Sequence, residues 1–319
     1  MSSEERRNRH LSVSRVETYV RCPRRWAKTY LADVRPDDGS TASRLGSTLH
    51  EVLQDAAEAA QLIGGLGQLD QGAVTALYRR KFAAQMELTD HRAFSDGLLM
   101  VRRWAADLCK PGRDVLAIER RFTIRPPSGP PIIGYIDRID RTGPTSIDVI
   151  DYKSGRLLPA RWEVDQHLQL MVYAAAARRL YPWAETIRCG LAMLRHDVTL
   201  WAEYTRDQET AALHYLITMG DRMEHDTALK ARANAFCGWC AHAAGCPALE
   251  GAQDAPDAAD GLGALLVRRV ALDASERAAK AAKGRIDDRI KAHLEQAEGT
   301  DTLVAEGISV RQATRRTYA

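Results

Sequence analysis

The spacing of apolar residues divides the chain into a helical opening, a strand-rich middle and a mixed remainder. Val16, Tyr19, Val20 and Trp26 follow a helical period, with Ser12 or Ser14 as the N-cap and Pro23 as a local break. After the polar loop Arg35-Pro36-Asp37-Asp38-Gly39-Ser40, a second helix is predicted from near Ser43 through Leu45, Leu49, Val52 and Leu53. His50 projects from it beside the apolar stripe, Gly46 near its start permits close approach of a neighbour or ligand, and Gly64-Gly65-Leu66-Gly67 ends it. Residues 71–109 read as helical throughout, with apolar faces built first from Val74, Leu77, Tyr78, Phe82 and Met86. Leu98, Leu99, Val101, Trp104 and Leu108 then continue them.

Strand patterns follow. Val115–Ile124 is one, and the proline-rich connection Pro126–Pro131 cannot join a central ladder. Ile132, Ile133, Tyr135, Ile136 and Ile139 then make a strand, and Ile147, Val149, Ile150 and Tyr152 another. Thr142-Gly143-Pro144-Thr145 supplies the turn between them. Asp137 lies inside the first strand of this hairpin, while Asp151 and Lys153 lie two apart at the end of the second and therefore share a face. A helix is predicted over Val164–Tyr181, with Gln169 and Tyr173 four apart on one side. Strands at Ile187–Arg195 and Thr199–Tyr204 come next, then an amphipathic helix to about Lys230. Beyond the linker-like stretch 251–262, a charged helix at about Ala274–Ala297 precedes two short strands near Thr302–Val304 and Ile308–Arg311. The division this suggests is a main domain over 1–250, a linker over 251–262 and a helix-hairpin extension over 263–319.

Composition changes this picture little. The 319 residues suffice for a buried core, and 45% apolar with 27% charged content is ordinary for a globular protein. The net charge of +3 does not mark the whole molecule as a polyanion binder. Charge is uneven, however: over residues 1–30, eight Lys/Arg face three acids. Such a patch suits a phosphate backbone, although a solvated basic face is the commoner origin of a charge run. No run of apolar residues has the length of a membrane span, and MSSEERRNRH lacks a signal-peptide core, so the expected location is the cytoplasm.

Cysteine is the informative residue. Cys237, Cys240 and Cys246 form C-x2-C-x5-C, too regular for core cysteines and too close for a disulfide framework in a reducing compartment. A metal centre is expected there, with Cys22 (followed by proline, as Cys246 is) or His242 as the fourth ligand. Zinc and an iron–sulfur cluster both satisfy the spacing. If Cys22 joins, the loop it closes is long, and closure adds roughly several kcal/mol because loop entropy grows only logarithmically. Cys109 and Cys189 fall within helix and strand patterns and are expected in the core.

Taken in order, S-x-x-E-T-Y-x-x-C-P-R-R-W, G-S-T-L-H, G-Y-I-D-R-I-D, I-D-Y-K-S-G, Q-L-M-V-Y and the terminal C-x2-C-x5-C resemble the RecB-like nucleases of the PD-(D/E)xK superfamily. The resemblance covers roughly residues 11–248. It is strongest to the iron–sulfur subgroup that includes CRISPR-associated RecB-like exonucleases and the AddB nuclease domain. Each motif alone is weak; the ordered set is specific.

The resemblance implies an α/β fold, restriction-endonuclease-like, with a mixed central sheet flanked by helices and a cysteine-rich metal-cluster clasp. It implies a metal-dependent DNA exonuclease acting on single-stranded or frayed ends, in recombination and repair, phage DNA processing or CRISPR adaptation. An alternative is a DNA-end-binding adaptor in a helicase–nuclease or CRISPR-adaptation assembly, which residues 263–319 would suit. By the same resemblance, His50, Asp137, Asp151 and the Tyr152 carbonyl hold Mn²⁺ or Mg²⁺, the imidazole favouring manganese. Lys153 handles the attacking water, and Gln169 and Tyr173 line the site. Cys22, Cys237, Cys240 and Cys246 hold a 4Fe-4S cluster. The glycine of G-x-x-D selects Asp137 over Asp140; Asp140 and Asp148, flanking the turn, are expected to be solvated. Glu119 ends an apolar run on the first strand, and the pattern alone does not decide whether it reaches the metal. The terminal R-R-T-Y and the charged helix have no assigned role, and no phosphate-binding P-loop pattern occurs.

Overall fold

Each strand of the central sheet is bounded by the residues that its pattern requires. The computed structural model describes residues 10–32, 41–62, 69–85, 90–108, 114–237, 240, 242–243, 245–249, 262–296, 302–305 and 308–311. Cys109, most of the 251–262 stretch, Arg6, Arg7, Arg9, the Arg35–Ser40 and Gly64–Gly67 loops, Met86 and R-R-T-Y lie outside them. The chain divides into two units, Met1–Lys230 and Ala231–Ala319.

In the first unit, helices α1 (Val13–Arg21), α2 (Pro23–Tyr30), α3 (Thr41–Leu62), α4 (Gln71–Gln85) and α5 (His91–Leu108) precede strand β1 (Asp114–Ile124). Strands β2 (Ile132–Gly143) and β3 (Ser146–Lys153) form the predicted hairpin. Helices α6 (Arg161–Asp165) and α7 (Leu168–Leu180), strands β4 (Thr186–Met193) and β5 (Val198–Glu203), and helix α8 (Arg206–His225) complete it. The sheet runs β1-β2-β3-β4-β5 and is mixed: β3 and β4 are parallel, and the other neighbours antiparallel. The parallel pair is where the chain crosses over through α6 and α7, as a parallel connection demands.

Helices cover both faces. Ile136, Ile139, Ile147 and Val149 pack with Leu170, Val172, Ala174 and Leu216 of α7 and α8, while Ile150 and Tyr152 pack with Leu49, Val52, Tyr78 and Trp104 of α3, α4 and α5. Alternate residues of β3 thus enter opposite cores, which fixes its register, since a slip by one residue would exchange the two sets. Burying each such side chain contributes roughly 1.5–3 kcal/mol. Gly97 is required by this packing, because a Cβ there would lie 2.1 Å from the Tyr78 hydroxyl.

Two predicted helices and one predicted apolar position are corrected. Residues 71–109 hold two helices, α5 starting after Asp90, whose carboxylate accepts from the Ala93 N–H at 3.0 Å. The helix predicted over 164–181 is split at His167, whose Nδ1 accepts from the Leu170 N–H at 3.4 Å and starts α7. Leu99, predicted on an apolar face, is 48% exposed. Of the two candidate caps for α1, Ser12 is the one used, accepting from the Arg15 N–H at 3.3 Å. Arg15, counted in the basic patch, is itself buried, donating to the His10 carbonyl at 2.8 Å and lying over the Tyr30 ring.

The second unit holds the cysteine segment, helix α9 (Leu262–Gln296) and the hairpin β6 (Thr302–Ala305) and β7 (Ile308–Arg311). Helix α9 begins about a dozen residues earlier than the sequence pattern suggests, at Leu262. Among the described residues, no helix is long and apolar enough to cross a membrane.

Candidate active site

The site is created by a fork in the sheet. Strands β2 and β3 pair from Gly143 and Ser146 up to Arg138 and Ile150, where their register ends. Beyond that point β2 continues against β1, and β3 continues against β4 through Lys153 and Met193. The strands therefore part at Asp137 and Asp151. Parting strips Tyr152 of its ladder acceptor, and the Asp137 Oδ2 takes its N–H at 2.7 Å. A buried N–H left unpaired would cost about 1–3 kcal/mol, so this bond both satisfies the fork and fixes the Asp137 carboxylate.

Three donors converge on the fork. Ligand atoms of His50, Glu119 and Asp137 all lie within 4.8 Å of one another, with the His50 Nδ1 3.9 Å from the Asp137 Oδ2. His50 comes from α3, held by the buried stripe of Leu49, Val52 and Leu53. Burial first and Lys153 among its neighbours lower its pKa, against Asp151, so at neutral pH it is a neutral imidazole with a nitrogen lone pair to offer. Glu119 stands opposite Asp137, each being five residues from the Ile124–Ile132 pair. Its backbone lies in the left-handed region at φ 48°, a conformation costly for a non-glycine residue and found where surrounding structure enforces it.

The electrostatics are compatible with a cation. Burial, followed by the Asp151 charge, holds the Asp137 pKa well above the ordinary carboxylate range. The same two causes, in the same order, push Glu119 up to about 6. Carboxylates crowded and desolvated in this way resist ionisation until a positive ion joins them. The set of two carboxylates and one imidazole fits a hard-to-intermediate divalent cation such as Mg²⁺ or Mn²⁺.

Beside the trio runs an ordered hydrogen-bond chain. Lys153 Nζ pairs with the Asp151 Oδ2 at 2.7 Å and donates to the Gln169 Oε1 at 3.0 Å; the Gln169 Nε2 donates to the Tyr173 hydroxyl at 2.7 Å. Gln169 and Tyr173 lie one turn apart on α7, which its His167 cap orients toward the fork. Burial, then the Asp151 and Asp137 charges, raise the Tyr173 pKa, so its O–H stays a donor. Beneath the fork, Arg138 donates to the Tyr152 hydroxyl at 3.1 Å and to Asp107 at 3.2 Å, and lies 3.0 Å from Asp140.

The fork thus gathers His50, Asp137, Asp151, Tyr152, Lys153, Gln169 and Tyr173 from the sequence set. Asp151 adjoins the converging trio without belonging to it, its Oδ2 being held by Lys153. Glu119, left open by pattern, does belong to the trio. The hairpin register would have revealed it by counting back from Ile124. Asp140 and Asp148 are not solvated as expected: both are buried, Asp140 against Arg138 and Asp148 in a two-pronged pair with Arg188 at 2.7 and 3.0 Å.

The cysteines are distributed between the units. Cys22 in the first is the joint between α1 and α2, its N–H donating to the Thr18 carbonyl at 3.0 Å. In the second unit, Cys237, Cys240 and Cys246 sit in consecutive tight turns, Cys240 N–H to the Cys237 carbonyl at 3.0 Å and Cys246 N–H to the Ala243 carbonyl at 3.1 Å. The Asn234 N–H donates to the Cys237 sulfur at 3.3 Å. Cys189 is fully buried in the sheet core, as expected.

A mixed sheet split at its centre, with carboxylates on both prongs and a lysine on one, fits a nuclease. The chain belongs to the PD-(D/E)XK nuclease superfamily, whose family model matches residues 10–247. A crystal structure of a provisionally named exonuclease from Eubacterium rectale is similar at 14% identity, with a TM-score of 0.43, over 70% of this chain and 82% of that one. The comparison with curated proteins returned no match.

Proposed function

We propose that this nuclease is a DNA exonuclease requiring Mn²⁺ or Mg²⁺ and acting on single-stranded or frayed ends. The observation that carries this reading is the convergence of His50, Glu119 and Asp137 at the fork, beside the Asp151–Lys153 pair. The trio would hold the cation, with Asp151 and the Tyr152 carbonyl as the further ligands that family resemblance suggests. Such a cation supplies Lewis acidity toward a phosphoryl oxygen and lowers the pKa of a bound water.

The protein's own groups do the rest. Lys153 donates to Gln169 and forms an ion pair with Asp151, which holds its ammonium where it can orient a water or a phosphate oxygen. Gln169 has its amide fixed by Lys153 on one side and Tyr173 on the other. Tyr173, accepting from Gln169, keeps its hydroxyl hydrogen for a phosphate oxygen. Donors fixed in advance need no reorganisation as charge builds on phosphorus, which is where their rate advantage arises.

Digestion of end-labelled linear and closed circular single-stranded DNA with Mn²⁺ tests the reading. The linear strand is expected to shorten from an end while the circle survives. Rapid cleavage of the circle would replace exonuclease with endonuclease.

For Cys22, Cys237, Cys240 and Cys246 we propose a 4Fe-4S cluster, supported by their spacing, the Cys-Pro context and the N–H donated to the Cys237 sulfur, a contact that stabilises thiolate charge. Anaerobically purified protein should be brown, and Cys240→Ala should lose that absorbance. A colourless protein with stoichiometric zinc would rule iron out.

A further inference from the structure

The cleft that contains Asp137, Gln169 and Tyr173 does not end at the fork. It is a cavity of about 410 Å³ that extends between the start of α1, the first residues of β2 and the first turns of α7. This lies within the range of about 300–1,000 Å³ over which proteins enclose small ligands. Its position makes it the natural receptacle for whatever adjoins a phosphate held at the fork.

Charge and shape narrow the occupant. No lysine or arginine is among the described residues that line it, whereas Glu17 and Asp137 are. Burial, then nearby Arg15 and Arg121, lower the His10 pKa, so that wall residue is neutral near pH 7. With no ammonium or guanidinium among these lining residues, the cavity suits an uncharged ring with N–H and carbonyl edges. The walls suit such a ring. The tip of the Phe122 ring lies against Gly134, where a Cβ would come within 2.5 Å of it, and the ring meets Tyr173 edge-on at 5.9 Å between centroids. Tyr135, 51% exposed and on the Asp137 side of β2, also lines it. The hydroxyls of Ser12 and Ser14 also line it, hydrogen-bonded to each other at 3.1 Å, and Ser14 keeps capacity for one further bond to a ring edge.

We propose that this cavity receives one unpaired base of the strand whose phosphate is cut, with Tyr135 as its stacking surface and the two serines and Glu17 at its edge. This inference rests on the nuclease reading of the fork and adds the reason for a preference for single strands: a base in a duplex must leave its stack before it can enter. Rotating hydroxyls and an aromatic face do not choose among the four bases, so the expected recognition is of an unpaired base of any identity.

The test uses the full chain with Ca²⁺ in place of the catalytic cation and a labelled single strand in which one abasic position is walked along the sequence. Binding is read by fluorescence anisotropy. Wild type should show a single position at which base loss weakens binding, by about 5- to 100-fold, the worth of one base stacked on an aromatic side chain. Tyr135→Ala and Ser14→Trp, the second of which fills the cavity, should bind the intact strand weakly by that factor and lose the position effect. Should Ser14→Trp not fold, as judged by circular dichroism, Tyr135→Ala at its half-exposed site carries the test. An equal cost at every position, or a position effect retained in the variants, would overturn the proposal, as would equal affinity for blunt duplex and single strand. The two readings fail differently. Without the base site, wild type still digests DNA; without the nuclease centre, it digests nothing whatever the base contacts.

Discussion

Asp151→Ala and Lys153→Ala are each expected to leave a folded protein whose cleavage of a linear single strand in Mn²⁺ falls by about 10²–10³-fold or more. The size follows from losing a charged group fixed in advance at the reacting phosphate. The folded state is expected to survive because neither residue holds the sheet together. Lys153 lies at the open end of β3 and its side chain is 37% exposed. Asp151 is buried, and its ion pair with Lys153 is offset by the repulsion through which it raises the pKa of Asp137 and of Glu119. Removing it relieves that repulsion, so metal-free Asp151→Ala should melt at or above the temperature of wild type. Initial rates on end-labelled DNA, with melting curves for both variants, check the two halves. Wild-type rates in both variants would remove the fork from the chemistry.

Arg138→Met should cost stability instead. Arg138 is 4% exposed and its guanidinium faces Asp107, Asp140 and the Tyr152 hydroxyl together. Methionine fills the space but leaves Asp140, itself 2% exposed, without that guanidinium. Breaking a buried pair from one side costs about 3–5 kcal/mol, which for a unit of this size lowers the melting temperature by on the order of 10 °C. The double variant Arg138→Met/Asp140→Leu should recover much of the loss, because the buried charge that faced Arg138 is gone. Tyr152 would still lack its bond from Arg138, loosening the residue whose N–H orients Asp137, and cleavage below the melting range should drop by roughly 10- to 100-fold in both variants. A single variant as stable as wild type would show that the network contributes nothing to the fold.

The two predictions also mark what the amino-acid order does and does not convey. Local alternation made the β2–β3 hairpin legible, and with it the shared face of Asp151 and Lys153, because a period of two leaves little choice once one face is buried. Gln169 and Tyr173 were legible for the same reason on a period of four. What pattern could not convey was the partner of a charge. Asp140 and Asp148 look solvated beside a turn; the arginines that bury them are the neighbouring Arg138, turned inward, and Arg188 on another strand. Glu119 needed the pairing of β1 with β2 and a left-handed backbone, neither visible in the run of residues around it. Helix breaks at Asp90 and His167 escaped notice because a side-chain cap interrupts a helix without disturbing its apolar spacing.

Everything in the catalytic account depends on a divalent cation at the fork. Anomalous diffraction from crystals of the full chain grown with Mn²⁺ measures this directly. The account predicts a manganese peak in contact with His50, Glu119 and Asp137, lost in crystals of Asp137→Ala. A strong peak elsewhere, or none at millimolar Mn²⁺ in crystals that leave the cleft open, would contradict it.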